Sequence, residues 1–191
     1  MTASRLDGAG LLARAVDYAL GSLDTVSGDL GRPTPCAGWD LRALLDHLND
    51  SLLALHEAAT LGQVFPDVDD YPVADPVAVL RDRATRLAGV WAPPSPRREV
   101  ALGDLSLRTA IVTTTGALEV AVHGWDVAVA CGAARTIPAG LASDMLAVAP
   151  ALVATADRPE RFAAPVVPPS WAAPGDRLIA FLGRQPQWPH H

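Results

Sequence analysis

Leucines at positions 41, 44, 45, 48, 52 and 55 of the stretch LRALLDHLNDSLLALHEAAT return every three or four residues. That period gathers them on one face of an α-helix. Asp40 precedes the run as a suitable N-cap and Gly62 closes it, so the spacing predicts a helix over 41–60. Leucine and alanine recur in the same way from Leu11 to Leu23, predicting a first helix over about residues 8 to 27. Between the two, SGDLGRPTPCAGW is rich in Gly and Pro and reads as a loop.

A second loop, FPDVDDYPVADP, leads to Asp75-Pro76, where a third helix starts and runs to Trp91 before WAPPSP stops it. REVALGDLSLR alternates around Gly103-Asp104 and predicts a small hairpin or an extended crossover. A fourth helix follows from Arg108 to Cys131, with Gly132 as its stop. It retains Gly116 and Gly124, each costing about 1 kcal/mol against alanine. Close packing at those points is the compensation to expect. A fifth helix is predicted from Ala139 to about Thr155. PERFAAPVVPPSWAAPGDRL is mostly proline-rich connection, and a last turn or two in DRLIAFLGR packs back on the body. The pattern is that of an all-α four-helix bundle over residues 1–133 with a C-terminal helical and proline-rich appendage over 134–191.

Composition narrows the function classes. A chain of 191 residues, half of them apolar, forms one domain with a sizeable core. All fifteen basic residues are arginine, the net charge is −6, and the densest basic cluster (Arg81, Arg83, Arg86) is interrupted by Asp82. Nucleic acid is therefore not an expected partner. The first residues, MTASRLDGAG, lack a signal-peptide pattern. The longest apolar run, MLAVAPALVATA, holds a proline and falls short of the roughly twenty residues that span a membrane. Cys36 and Cys131 alone imply no disulfide framework. These features point to a cytoplasmic protein acting on a small molecule, and its apolar content is compatible with a homodimer.

The fourth helix contains an anomaly, EVAVHGWDVAVA. Glu119 and His123 lie four apart, on one helical face, an arrangement that can hold a divalent cation. An exposed Glu–His pair is the plainer alternative. The surrounding valines 120, 122, 127 and 129 argue for burial, and a buried carboxylate needs a counter-charge. In the second helix His47 lies roughly 60° from Leu44, at the border of the leucine stripe, while His56 is about half a turn away in phase and should face outward beside Glu57. His190 and His191 read as a frayed tail. His47, Glu119 and His123 thus form a three-ligand set with an open position, suited first to zinc and alternatively to nickel, iron, cobalt or manganese. Asp126, three residues past His123, is placed to orient that imidazole or else is a surface residue. Trp39 staples the start of the second helix or lines a pocket mouth, and Cys36 reads as inert loop packing.

PTPCAGWDLRALLDHL and EVAVHGWDVAVACG together resemble the DinB-like (YfiT-type) metalloenzyme superfamily. More narrowly, they resemble the N-terminal metal-binding domain of mycothiol-dependent maleylpyruvate isomerases and their single-domain actinobacterial relatives. The matching residues are Trp39 and His47 in the first motif, and Glu119, His123, Trp125 and Asp126 in the second. The resemblance extends to the tail, RFAAPVVPPSWAAPGDRLIAFLGRQPQW. It implies a four-helix bundle with a divalent ion near one end. For characterised relatives it also implies transferase or isomerase chemistry with mycothiol or bacillithiol. The two-domain isomerases carry a larger C-terminal domain, whereas about sixty residues follow Cys131 here; residues contributed by that domain are not transferred, and the resemblance does not establish maleylpyruvate as the substrate. The expectation is a divalent-metal enzyme that uses a mycothiol-like thiol for S-transfer or thiol-assisted isomerisation. Metal-activated water in a hydrolase or lyase, and a non-catalytic metal- or small-molecule-binding module, are the alternatives.

Overall fold

In the computed structural model, the described residues are 7–65, 74–91, 98–153, 158 and 162–188. α1 (Gly8–Leu23) starts behind Asp7, whose side chain accepts the N–H of Ala9. α2 (Leu41–Thr60) starts behind Asp40, whose Oδ1 accepts the N–H of Ala43 at 2.8 Å. α3 (Pro76–Val90) has the same kind of start, with Asp75 capping Ala78 and proline in the first turn. α4 (Thr109–Ala130) is the longest helix. α5 (Ala139–Leu152) and α6 (Pro174–Phe181) are the remaining helices among the described residues.

The architecture is all-α. Contacts between the four long helices run α1 to α4, α4 to α2, α2 to α3 and α3 back to α1, the neighbour pattern expected of a four-helix bundle. The predicted leucine stripe is the buried face of α2, with Leu41, Leu44, Leu45 and Leu48 at most 1% exposed. Each such side chain contributes roughly 1.5–3 kcal/mol. The two glycines of α4 mark close approaches. A Cβ at Gly124 would stand 3.1 Å from Cα of Ala19 in α1, and one at Gly116 would run into Leu55 of α2. Gly132, at φ +76°, ends α4, with the N–H of Ala133 returning to the carbonyl of Ala128. α5 and α6 pack chiefly on each other, and α5 also touches α1 and α4.

The hairpin is present as β2 (Glu99–Leu102) antiparallel to β3 (Leu105–Arg108), turning at Gly103 with φ +55°. The sequence pattern did not predict β1 (Gln63–Val64), which pairs parallel to β2. Two residues cannot show an alternation, so the strand exists through its partner. α1 is shorter than expected: after Leu23 the N–H groups of Thr25 and Val26 bond three residues back, to Ser22 and Leu23, in tight turns leading to Gly28 at φ +73°. α5 ends at Leu152, two residues past Pro150, which has no N–H to offer the helix. The expected N-terminal segment before Asp7, most of the loop after Phe65, the stop after Trp91 and the final histidines lie outside the described residues. Among the described residues no helix is long and apolar enough to cross a membrane.

Candidate metal centre

α2 and α4 bring His47, Glu119 and His123 together. Oε1 of Glu119 faces Nε2 of His47 at 2.6 Å and Nε2 of His123 at 3.0 Å. Glu119 and His123 meet because they are one turn apart on α4, and His47 arrives from α2, which crosses α4 where Gly116 permits it. The three candidate ligand atoms lie within 4.8 Å of one another. Donors around a tetrahedral zinc, each at about 2.1 Å, stand roughly 3.4 Å apart, so an ion requires only a modest spreading of the trio. Two imidazole nitrogens and one carboxylate oxygen are a donor set that fits a divalent cation.

The sequence alternative of a surface aspartate is overturned at position 126: Asp126 is wholly buried on α4. Its Oδ2 lies 2.9 Å from Nδ1 of His123, so that imidazole meets a carboxylate at each ring nitrogen. Arg184 completes the group from the far end of the chain. Its Nε donates to Oδ1 of Asp126 and its Nη2 to Oδ2, both at 2.8 Å. This forked pairing is the geometry in which guanidinium binds carboxylate most strongly.

Charge follows from these contacts. Burial opposes ionisation of Glu119, but hydrogen bonds from His123 and His47 outweigh it and hold the carboxyl well below the usual range. Burial likewise works against a charged His123. The hydrogen bond to Asp126, with contributions from Cys36 and Glu119, reverses this and raises the imidazole well above its ordinary value. Asp126 stays ionised despite its burial because Arg184 and His123 face it. Glu119 facing His123 and Asp126 facing Arg184 are two opposite-charge pairs.

Cys36, expected as loop packing, also has polar neighbours in the site. Its Sγ lies 3.2 Å from Oδ2 of Asp126, 3.4 Å from Nη2 of Arg184 and 3.8 Å from Nδ1 of His123. The PTPCAGW loop is held in place by Thr34, whose hydroxyl donates to the carbonyl of Trp39 and accepts the N–H of Cys36, while Gly38 turns at φ +81°. Cys36, His123 and Asp126 form a second cluster of metal-ligand type. There, however, Asp126 is already paired with the Arg184 guanidinium, so the cation in that corner is supplied by the chain itself.

His47, Glu119 and His123 line a cleft of about 1010 Å³ together with Cys36 and Arg184. Trp39 stands beside the trio, its ring centroid 4.7 Å from that of His47 and 6.1 Å from that of His123. Apart from the groups just described, Thr115 is the only side chain with a hydroxyl or amide among the described lining residues; the others are apolar, among them Leu118, Val122, Phe162 and Leu182. His56, expected at the surface, is half-buried and its Nδ1 is shielded from solvent without a hydrogen-bond partner among the described residues.

Arg184 escaped sequence reasoning because nothing in a single sequence links position 184 to position 126. A local signal did exist. In FLGR, glycine follows an apolar helical run, and such a stop fixes the direction of the next side chain.

This architecture and site accompany a clear family assignment. Residues 10–128 match the mycothiol maleylpyruvate isomerase N-terminal domain, and the chain belongs to that family. Two Mycobacterium tuberculosis proteins, each described as an uncharacterized protein (Rv0738 of strain H37Rv and MT0763 of strain CDC 1551), are 30% identical over 178 residues. The alignment covers 90% of this chain and 94% of each of theirs. No solved structure matches the chain.

Proposed function

We propose that this protein is a divalent-metal-dependent enzyme that uses a low-molecular-weight, mycothiol-like thiol for S-transfer to, or thiol-assisted isomerisation of, a small electrophile. His47, Glu119 and His123 are the proposed ligands, and zinc is the leading ion for two imidazoles and a carboxylate with a position left open. Held there, the ion would act as a Lewis acid that keeps a thiol deprotonated at neutral pH.

The chain's own residues supply the rest. Asp126 fixes the ring of His123 through Nδ1, leaving Nε2 directed toward the ligand trio. Trp39 and the apolar cleft walls exclude water and receive the body of the substrate. Because Thr115 is the one additional hydroxyl among the described lining residues, a densely hydroxylated moiety would lose hydrogen bonds inside the cleft. The electrophile that enters is therefore largely apolar, and the polar body of the thiol cofactor would stay toward solvent. In S-transfer a sulfur–carbon bond forms as the electrophile's leaving group departs; in isomerisation the same bond forms and breaks, returning the thiol.

The observation that carries this reading is the convergence of three donors from two helices in the cleft wall. Protein reconstituted with zinc is incubated with mycothiol and a bimane electrophile. Thiol consumption above that of the His123→Ala variant supports the proposal. Electrophile turnover without thiol loss would indicate water activation instead, and metal binding with no turnover of any electrophile would indicate a binding module.

A further inference from the structure

We propose that Arg184, in the C-terminal appendage, is a positioning residue for the metal centre: it pins Asp126, and through Asp126 sets the ring of His123. The inference rests on the reading of His123 as a metal ligand, and it extends the site to a segment outside residues 10–128 that match the family.

The chain invests local structure in aiming this side chain. α6 ends in a Schellman turn: the N–H of Gly183 returns to the carbonyl of Ala180, and the N–H of Arg184 to that of Ile179. Gly183 has φ +83°, and a Cβ there would sit 2.6 Å from the carbonyl oxygen of Ala163. Both the conformation and the space therefore require glycine, and the next side chain is directed into the cleft. Its guanidinium then reaches across to α4, 58 positions earlier in the sequence, and grips both oxygens of Asp126.

Asp126 needs such a partner. It is fully buried, accepts from Nδ1 of His123 and from the Cys36 thiol through the same Oδ2, and without Arg184 its Oδ1 has no donor among the described hydrogen bonds. Arg184 holds both oxygens and so fixes the plane of the carboxylate, with Oδ2 left facing Nδ1 of His123 and Nε2 presented to the other two donors. A carboxylate free to rotate would no longer hold the ring in that orientation.

The test compares wild type, Arg184→Ala, Arg184→Lys, Asp126→Asn and the Arg184→Ala/Asp126→Asn double variant, each checked for native far-UV circular dichroism. Zinc affinity is read by competition with a chromophoric chelator. Arg184→Ala is expected to weaken zinc about 10–100-fold. Arg184→Lys should recover only part of that loss, since an ammonium cannot make the forked contact. The double variant should bind zinc as Asp126→Asn does, because Arg184 acts through Asp126. Wild-type affinity in Arg184→Ala, or additive losses in the double variant, would overturn the inference. A second readout needs no metal. In metal-free protein the Nδ1–H of His123, held against Oδ2 of Asp126, should give a slowly exchanging ring signal in nitrogen–proton correlation spectra, expected to exchange faster or vanish in Arg184→Ala as the carboxylate loses its fixed orientation. If wild type binds no zinc, the metal reading fails, yet this signal still decides the link: its persistence unchanged in Arg184→Ala refutes it.

Discussion

Nε2 of His47 and Oε1 of Glu119 stand 2.6 Å apart across the junction of α2 and α4, although 72 positions separate them in the sequence. His123 joins the pair at 3.0 Å. The packing of α2 on α4 brings the three candidate ligands together. Removing metal with a chelator should leave the helical circular dichroism intact. Metal bound at about 100 times its Kd adds roughly 2.7 kcal/mol, which at this size corresponds to a Tm rise of roughly 5–10 °C. Loss of helicity on chelation would show that the ion builds the fold instead.

Metal binding should release protons. Both ring nitrogens of His123 face carboxylate oxygens, so a metal-free ring is expected to carry two N–H groups, one of which a cation at Nε2 would displace. Calorimetric titration with zinc in buffers of different ionisation enthalpy should give an apparent enthalpy that changes linearly with buffer, with a slope of about one proton or more near pH 7. A slope of zero contradicts the proton inventory of the site.

Tyr18 supplies a pH dependence away from the candidate metal centre. Burial pushes its phenol up to about 12, and the hydroxyl donates to the carbonyl of Arg135 at 2.8 Å. A raised folded-state value means that the stabilisation is complete below the ordinary tyrosine range and is lost as pH rises from about 10 to about 12, by roughly 3 kcal/mol. Denaturant unfolding followed across that window should show the loss, and Tyr18→Phe should remove the dependence. An unchanged alkaline slope in Tyr18→Phe contradicts it.

The glycines of α4 should resist enlargement. Gly116→Val pushes against Leu55 and Gly124→Val against Ala19. Overpacking of this kind costs typically about 1–3 kcal/mol. Gly116→Val should in addition weaken zinc binding, because it displaces α2 and with it His47. Chemical denaturation and zinc competition on the same variants check both parts. A Gly116→Val protein as stable as wild type, with unchanged zinc affinity, would contradict the packing account.

Much of the fold was legible because its signals are local. Leucines 41 to 55 and the Asp40 cap define α2 at the bounds observed, and Asp75-Pro76 defines the start of α3. The two α4 glycines pointed to close packing, since their helical cost required compensation. β1 was not legible, being two residues that take their conformation from β2. In the site, the one-turn spacing of Glu119 and His123 was readable, and the phase of His47 placed it on the inward border of α2. The roles of Cys36 and Arg184 were not, because each depends on a contact with α4 from a distant loop or turn. His56 shows the limit of phase arguments: a helix face turned from the bundle centre can still be covered by neighbouring chain.

Equilibrium zinc binding to metal-free protein, compared with His47→Ala, Glu119→Gln and His123→Ala, tests the account most directly. The prediction is one ion per chain in wild type, with affinity lowered at least about 100-fold in each variant, more than the loss of an outer partner would cause. Absence of zinc binding to the wild type, or variants that bind as tightly as it does, would contradict it.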